Sequence, residues 1–353
     1  MIRRLAAVTA LSLGLATTAE AEGVAGGTKL FKDWMAACDN VASCAGYTFQ
    51  GEDFDYGDYV VIRRKAGPDE PATIAFVVAA SDNETPAGEA RFRVVLDGEP
   101  LAAVQELVAK PDETSGGWRA ELRGDRALAF IDAVRNGDDI VLLRGDDQAA
   151  RFSLAGLSAT LLWFDETQGR LGAASALLRR GSKASPPAPP APVVTRGPVV
   201  SQDGLPRAVS PAMAATADLQ ACDVDYAADD ELSVWRLSPG TLLWAAPCSR
   251  GAYNTIFAML LTDEAGGNVR HAVFPGTPGA DKEQSGELMN VRYDPATRVL
   301  SNFDKARGLG DCGAQSDWVW TGSGFKLTWQ AIMPDCRGVG FEDWPTTWTA
   351  EVR

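Results

Sequence analysis

Histidine is almost missing from this 353-residue chain, His271 being the single example. One imidazole excludes a multi-histidine metal site and leaves a Ser-His-Asp triad only one possible base. No serine occupies a G-x-S-x-G elbow either, since Gly156-Leu-Ser-Ala-Thr160 departs at its last position. The cysteines form neither a C-x-x-C redox motif nor paired zinc knuckles. Basic residues are in deficit, 33 Lys and Arg against 47 Asp and Glu, for a formal net charge of −14. Such a surface repels nucleic acid and anionic lipid, which bind through clustered Lys and Arg. Beyond the N-terminus no apolar run approaches the ~20 residues of a membrane-spanning helix. Acidic clusters at Asp53/Asp55/Asp58 and Asp223/Asp225/Asp229/Asp230/Glu231 do not fit the EF-hand loop and read as solvated loops. No metal and no cofactor is expected.

What is present begins with Arg3 and Arg4, an apolar run from Leu5 to Ala16, and Ala19-Glu-Ala21. That is the pattern of a secretory signal peptide over residues 1–21, with a periplasmic or secreted mature chain and no membrane insertion. Residues 182–204 are rich in Pro and Ala, with prolines at 186, 187, 189, 190, 192 and 198. They predict a semi-rigid polyproline II linker between domains at about 22–181 and 205–353.

The first domain is expected to be α+β. Asp58–Lys65 and Ala72–Ala80 read as a hairpin, Arg91–Leu96 runs into an Asp97-Gly98 turn, and Ile140–Leu143 pairs with Ala150–Leu154. Apolar residues at 127, 128, 130, 131 and 134 predict a helix over Asp125–Arg135, and a second helix is expected from about Leu157 to Leu171. The second domain is expected to be mainly antiparallel β, a sandwich or open barrel of short strands from Ser233–Leu237 to Thr347–Val352. Its clearest hairpin sets Trp320 opposite Phe325 and Trp318 opposite Leu327, with Val319 and Lys326 on the other face.

Six cysteines, two before the proline-rich stretch and four after it, behind a secretory signal read as disulfides. The break between domains leaves Cys38–Cys44 as the first pair. Three connectivities exist for the other four; Cys222–Cys248 and Cys312–Cys336 are favoured because each pair brackets one predicted hairpin.

Gly308-Leu-Gly-Asp-Cys-Gly313 matches G-x-G-x-x-G. Its surroundings read as β and it contains a disulfide candidate, so a tight loop is expected rather than a nucleotide site. Seven of the ten tryptophans lie beyond the linker. Most read as core, while Trp344 and Trp348 are the candidates for an exposed sugar-stacking face.

Phe31-Lys-Asp-Trp-Met-Ala-Ala-Cys38-Asp-Asn40, Cys248-Ser-Arg-Gly-Ala-Tyr-Asn254, Arg307–Gly313 with Trp318-Val-Trp320-Thr-Gly, and Cys336-Arg-Gly338 with Trp344-Pro345 resemble a bacterial secreted family, domain of unknown function 1176 (DUF1176). The resemblance implies location and architecture and carries no catalytic residue. Ala127–Leu143 and Arg151–Ala159 look like the invasion-associated locus B type of periplasmic protein. The function expected is non-enzymatic binding of an envelope protein or glycan, with Trp344, Trp348, Arg307, Asp311, Tyr253 and Asn254 as candidate ligand-binding residues. The alternatives are a glycan hydrolase using carboxylates such as Asp223, Asp225, Asp311 or Asp317, and a carbohydrate-binding module.

Overall fold

The computed structural model describes residues 27–50, 57–81, 84–226, 231–278 and 284–353. The signal-like segment and Asp53, Asp55, Asp229 and Asp230 lie outside the described residues.

The first half is one eleven-stranded antiparallel sheet with two helices. Its strands are β1 (Gly27–Phe31), β2 (Trp34–Cys38), β3 (Cys44–Phe49), β4 (Tyr59–Arg64), β5 (Thr73–Val78), β6 (Ala90–Leu96), β7 (Glu99–Pro100), β8 (Glu106–Asp112), β9 (Gly117–Arg123), β10 (Asp139–Arg144) and β11 (Asp147–Ser153). The order is β1-β2-β3-β4-β5-β9-β8-β6-β10-β11, with β7 on β6. The last strand returns to the first ones: the Ser153 carbonyl accepts from Trp34 Nε1 at 3.0 Å and from Thr48 Oγ1 at 3.2 Å. Helix α1 (Asp125–Val134) buries Ala127, Phe130, Ile131 and Val134, a stripe at helical spacing. Helix α2 (Leu157–Thr167) starts after Gly156, whose φ is +105° and where a Cβ would sit 1.7 Å from the Phe31 carbonyl oxygen. Both helices pack into the core on one face of this sheet.

The expectation of an α+β first domain is overturned. The described residues hold twenty-five strands against four α-helices, and the first half is a sheet that two short helices cover. β2 and β3 were not anticipated, because Trp-Met-Ala-Ala-Cys and Cys-Ala-Gly-Tyr-Thr-Phe do not alternate apolar with polar residues. Every residue of β2 is buried, and all of β3 except Phe49. Strands covered on both faces read as continuous apolar runs, and these two are too short to stand out.

The second half is a two-sheet sandwich. One sheet joins β13 (Ser233–Ser238), β14 (Thr241–Arg250), β15 (Thr255–Thr262) and β16 (Arg270–His271), with β19 (Glu287–Met289) also on β15. The other is β20 (Arg292–Asp294), β21 (Val299–Lys305), β22 (Gly313–Trp320), β23 (Phe325–Met333) and β24 (Thr346–Thr349), in sequence order. β17 (Val273–Phe274) pairs with β18 (Gln284–Ser285). Between the two five-stranded sheets lie Leu243, Met259, Phe274, Leu300, Trp318 and Phe325. Trp320 faces Phe325, Trp318 faces Leu327 and Val319 faces Lys326, as the hairpin's alternation requires. Short helices α3 (Pro211–Ala214) and α4 (Ala217–Ala221), capped by Ser210 and Thr216, close the outer face of the first sheet over Trp244. Disulfides join Cys38 to Cys44, Cys222 to Cys248 and Cys312 to Cys336.

The proline-rich stretch is tied down at its far end. β12 (Val193–Val194) pairs in parallel with β25 (Glu351–Val352), and Gly197 donates its N–H to the Trp320 carbonyl at 2.8 Å. The halves meet directly as well. Residues of β2–β5 that point away from the helices (Met35, Tyr47, Tyr59, Val61 and Val77) pack against Ala331, Met333, Val339 and Trp344. Burying a side chain such as Val61 or Met333 contributes roughly 1.5–3 kcal/mol, so this seam is a second core.

Candidate functional site at the seam

The Phe341–Asp343 turn of the second half inserts Asp343 into this seam. Its carboxylate accepts from Arg119 Nη1 at 2.5 Å, Arg119 Nη2 at 3.1 Å, Arg63 Nη2 at 2.8 Å and Tyr59 Oη at 2.6 Å. Its carbonyl accepts from Tyr47 Oη at 2.6 Å and Arg63 Nη2 at 2.7 Å. Burial alone would raise the carboxyl; the hydrogen bonds from Arg119 and the charges of Arg63 and Arg119 hold it below the usual carboxylate range. Burial pushes the Tyr47 hydroxyl up to about 12, and burial plus the Asp343 charge push Tyr59 up further, so both phenols remain donors. A second clasp lies nearby: Asn40 Nδ2 donates to the Thr349 carbonyl at 2.9 Å, and Thr349 N donates to Asn40 Oδ1 at 2.8 Å.

Most of the candidate residues lead to this turn. Tyr253 Oη donates to the Ala306 carbonyl at 3.1 Å and its ring lies against Gly308. Asn254 Nδ2 donates to the Lys305 carbonyl at 2.9 Å, and Asn254 Oδ1 accepts from Asn290. Arg307 forms a two-pronged pair with the buried Asp311, Nε to Oδ1 at 2.7 Å and Nη2 to Oδ2 at 2.5 Å. Asp311 also accepts from Gly338 N at 2.7 Å; burial opposes its charge, but these bonds bring its carboxyl below the usual range. Beside Gly338, the Val339 carbonyl accepts from Trp344 Nε1 at 3.1 Å, and Trp344 meets Phe303 edge-on at 5.5 Å. These segments converge on a packed knot that positions Asp343. Trp344 is only 4% exposed, and the half-buried Trp348 stands apart against the sandwich core with a buried indole nitrogen that has no partner among the described residues. They do not form an exposed stacking pair.

The carboxylates named for hydrolysis are dispersed. Asp311 is committed to Arg307, Asp317 accepts from Ser301 Oγ at 2.6 Å on β22, and Asp223 follows α4. The glycine motif joins two antiparallel strands; Gly313 has φ +132°, and no helix follows it. His271 is exposed and meets Asp218 Oδ2 at 2.7 Å.

Two clefts open along the seam. In one, of about 610 Å³, Arg151 meets Asp139 at 2.6 Å, Ser153 Oγ donates to Asp33, and Arg337 lies over Phe49. The other, of about 660 Å³, is walled by the ends of β3, β4 and β9 on one side and by Trp329, Trp344 and Pro345 on the other. Its chemistry is one-sided. Arg63 uses only Nη2 on Asp343, leaving Nε and Nη1 without a hydrogen bond among the described residues. Lys65 has no partner there, and Arg123 has only Glu121, at 3.9 Å. The carboxylate of Asp39, in contrast, is taken by the N–H groups of Val41 and Ser43. None of Arg63, Lys65, Arg123 and Trp329 was singled out in the sequence. Their one local signal is the pair of arginines that ends the apolar run of β4.

The profile of the family described as "Protein of unknown function (DUF1176)" matches residues 28–351. The uncharacterized protein YpfG of Escherichia coli K12 is 28% identical over 340 residues, which cover 91% of this chain and 92% of that protein. No solved structure gives a significant match. These matches do not extend to invasion-associated locus B proteins.

Proposed function

The chain belongs to the family described as a protein of unknown function, DUF1176, and on that premise we propose that it is a non-enzymatic binding protein of the bacterial envelope. The ligand sits in the 660 Å³ cleft between its halves. The observation that carries this is the cleft itself: both halves wall it, the Asp343 cluster holds those walls in register, and its size is that of small-molecule sites. Two resemblance segments, Asp39-Asn40 and Trp344-Pro345, supply part of the wall or stand beside it. Location outside the cytosol is supported by the three disulfides and by the signal-like N-terminus.

The test is native mass spectrometry of the full chain purified from the periplasm, beside a Thr346→Trp variant that fills the cleft. A small molecule retained by the parent and lost in the variant is expected. An empty parent that also gains no ligand from periplasmic extract overturns the reading, as does a ligand that the filled variant still holds.

A further inference from the structure

We infer that the ligand of this cleft is an oxyanion, a carboxylate- or phosphate-bearing small molecule received by Arg63, Lys65 and Arg123. This rests on the cleft being the binding site and adds the class of ligand. A site recognises what completes its own hydrogen bonds, and this one holds an excess of donors. Arg63 keeps Nε and Nη1 unbonded, Lys65 and Arg123 carry cationic heads without a close acceptor, and Trp329 keeps its indole N–H without a partner among the described residues. A carboxylate or phosphate offers acceptors only, and a guanidinium fork suits its paired oxygens.

The opposing charges do not cancel this set. Asp39 is buried and turned to its own loop, where burial raises its carboxyl against the N–H groups of Ser43 and Val41. Glu70 and Glu342 are exposed at the mouth, where water screens them. Arg64, which also contributes to the wall, adds positive potential. It is only 5% exposed, has no ion pair among the described residues, and is drawn down to about 10 first by burial and then by the neighbouring Arg170 charge. Strand alternation sends Arg64 to the helix side while Arg63 faces the seam, so Arg64 acts on the cleft through its field. A cationic cleft thus sits in a chain of formal charge −14, and the surrounding field discourages anions that the cleft does not hold.

Isothermal titration of the full chain at low ionic strength with glucuronate, inorganic phosphate and glucose tests this. Glucuronate or phosphate is expected to bind while glucose does not; whichever binds identifies the oxyanion. The Lys65→Ala/Arg123→Ala variant is expected to weaken that binding at least tenfold, and raising the salt is expected to weaken it further. Both substitutions are at the surface, and an unchanged melting temperature without ligand separates lost recognition from lost folding. Glucose binding as well as glucuronate, with no loss in the variant, overturns the oxyanion and leaves the cleft as a site. Binding of none of the three also overturns the inference, while a cleft-dependent ligand in the mass spectrometry keeps the binding function standing.

Discussion

Tyr59 and Asp343, 284 residues apart in sequence, meet at 2.6 Å between phenol and carboxylate, and that bond crosses the seam. Around it two guanidiniums share one buried carboxylate. Removing the carboxylate leaves two cations facing each other in a partly buried site. Asp343→Asn is expected to cost about 3–5 kcal/mol in urea unfolding. A variant that unfolds at the parent's midpoint removes the cluster from the stability of the seam.

The same carboxylate sets an acid limit. Its folded value lies below the ordinary 3.8, so its contribution is complete above that value and is lost as pH falls through the depressed one. Below pH ~4 the parent's stability is expected to fall more steeply than that of Asp343→Asn. Equal slopes in acid titrations of the two proteins contradict this.

Asp58 works in the opposite direction. It accepts from Ala79 N at 2.7 Å, and burial pushes its carboxyl up to about 6. The folded state therefore holds a proton that the unfolded state releases, and stability falls as pH rises from about 3.8 to about 6. Asp58→Asn keeps an acceptor for Ala79 and removes that loss. It is expected to stabilise the chain at pH 7 by on the order of 1–3 kcal/mol and to show no difference near pH 3. Destabilisation at pH 7 contradicts it.

Gly313 ends the loop that imitates a nucleotide motif. At φ +132° it lies in backbone space that favours glycine, and a Cβ would fall 2.0 Å from the Asp304 carbonyl oxygen. Gly313→Ala is expected to cost roughly 2–4 kcal/mol and to lower the melting temperature accordingly. A change within ~0.5 kcal/mol, the usual range for surface substitutions, contradicts the steric account.

The Cys312–Cys336 bridge closes a span of 24 residues containing β22 and β23. Replacing both cysteines with alanine is expected to cost about 3.5 kcal/mol in the chain-entropy account. Since Cys312 adjoins Asp311 and Cys336 lies two residues before Gly338, hydrogen exchange at Gly338 and Trp344 is expected to rise first. Exchange changes confined to other parts of the chain contradict that coupling.

The parts of this fold legible in sequence are those with local causes. The Trp318–Leu327 and Trp320–Phe325 pairs follow from a glycine-bearing turn and period-two alternation, and α1 follows from its apolar stripe. β9 alternates too, with Trp118, Ala120 and Leu122 facing inward, and of its polar residues Arg119 reaches across to Asp343 while Glu121 and Arg123 stay exposed. The site was less legible because its causes are distant. Arg63 and Arg119 lie 280 and 224 residues from Asp343, and no spacing rule links such positions. Tyr253, Asn254, Arg307 and Asp311 stand out through local motifs, but the Lys305 and Ala306 carbonyls that the first two bond, and the Gly338 N–H that Asp311 accepts from, come from segments distant from them in sequence.

The doubly covered strands have a consequence for anyone who separates the halves. A fragment ending before the proline-rich stretch would expose Met35, Tyr47, Tyr59, Val61 and Val77 on one sheet face. Arg63 and Arg119 would stand among them without Asp343. That face is wide, flat and sticky, the kind that self-associates. Its complement would present Met333 and Trp344 in the same way. Each half is thus the other's solubility partner, and truncation at the proline-rich stretch is expected to yield two aggregating fragments instead of two working modules.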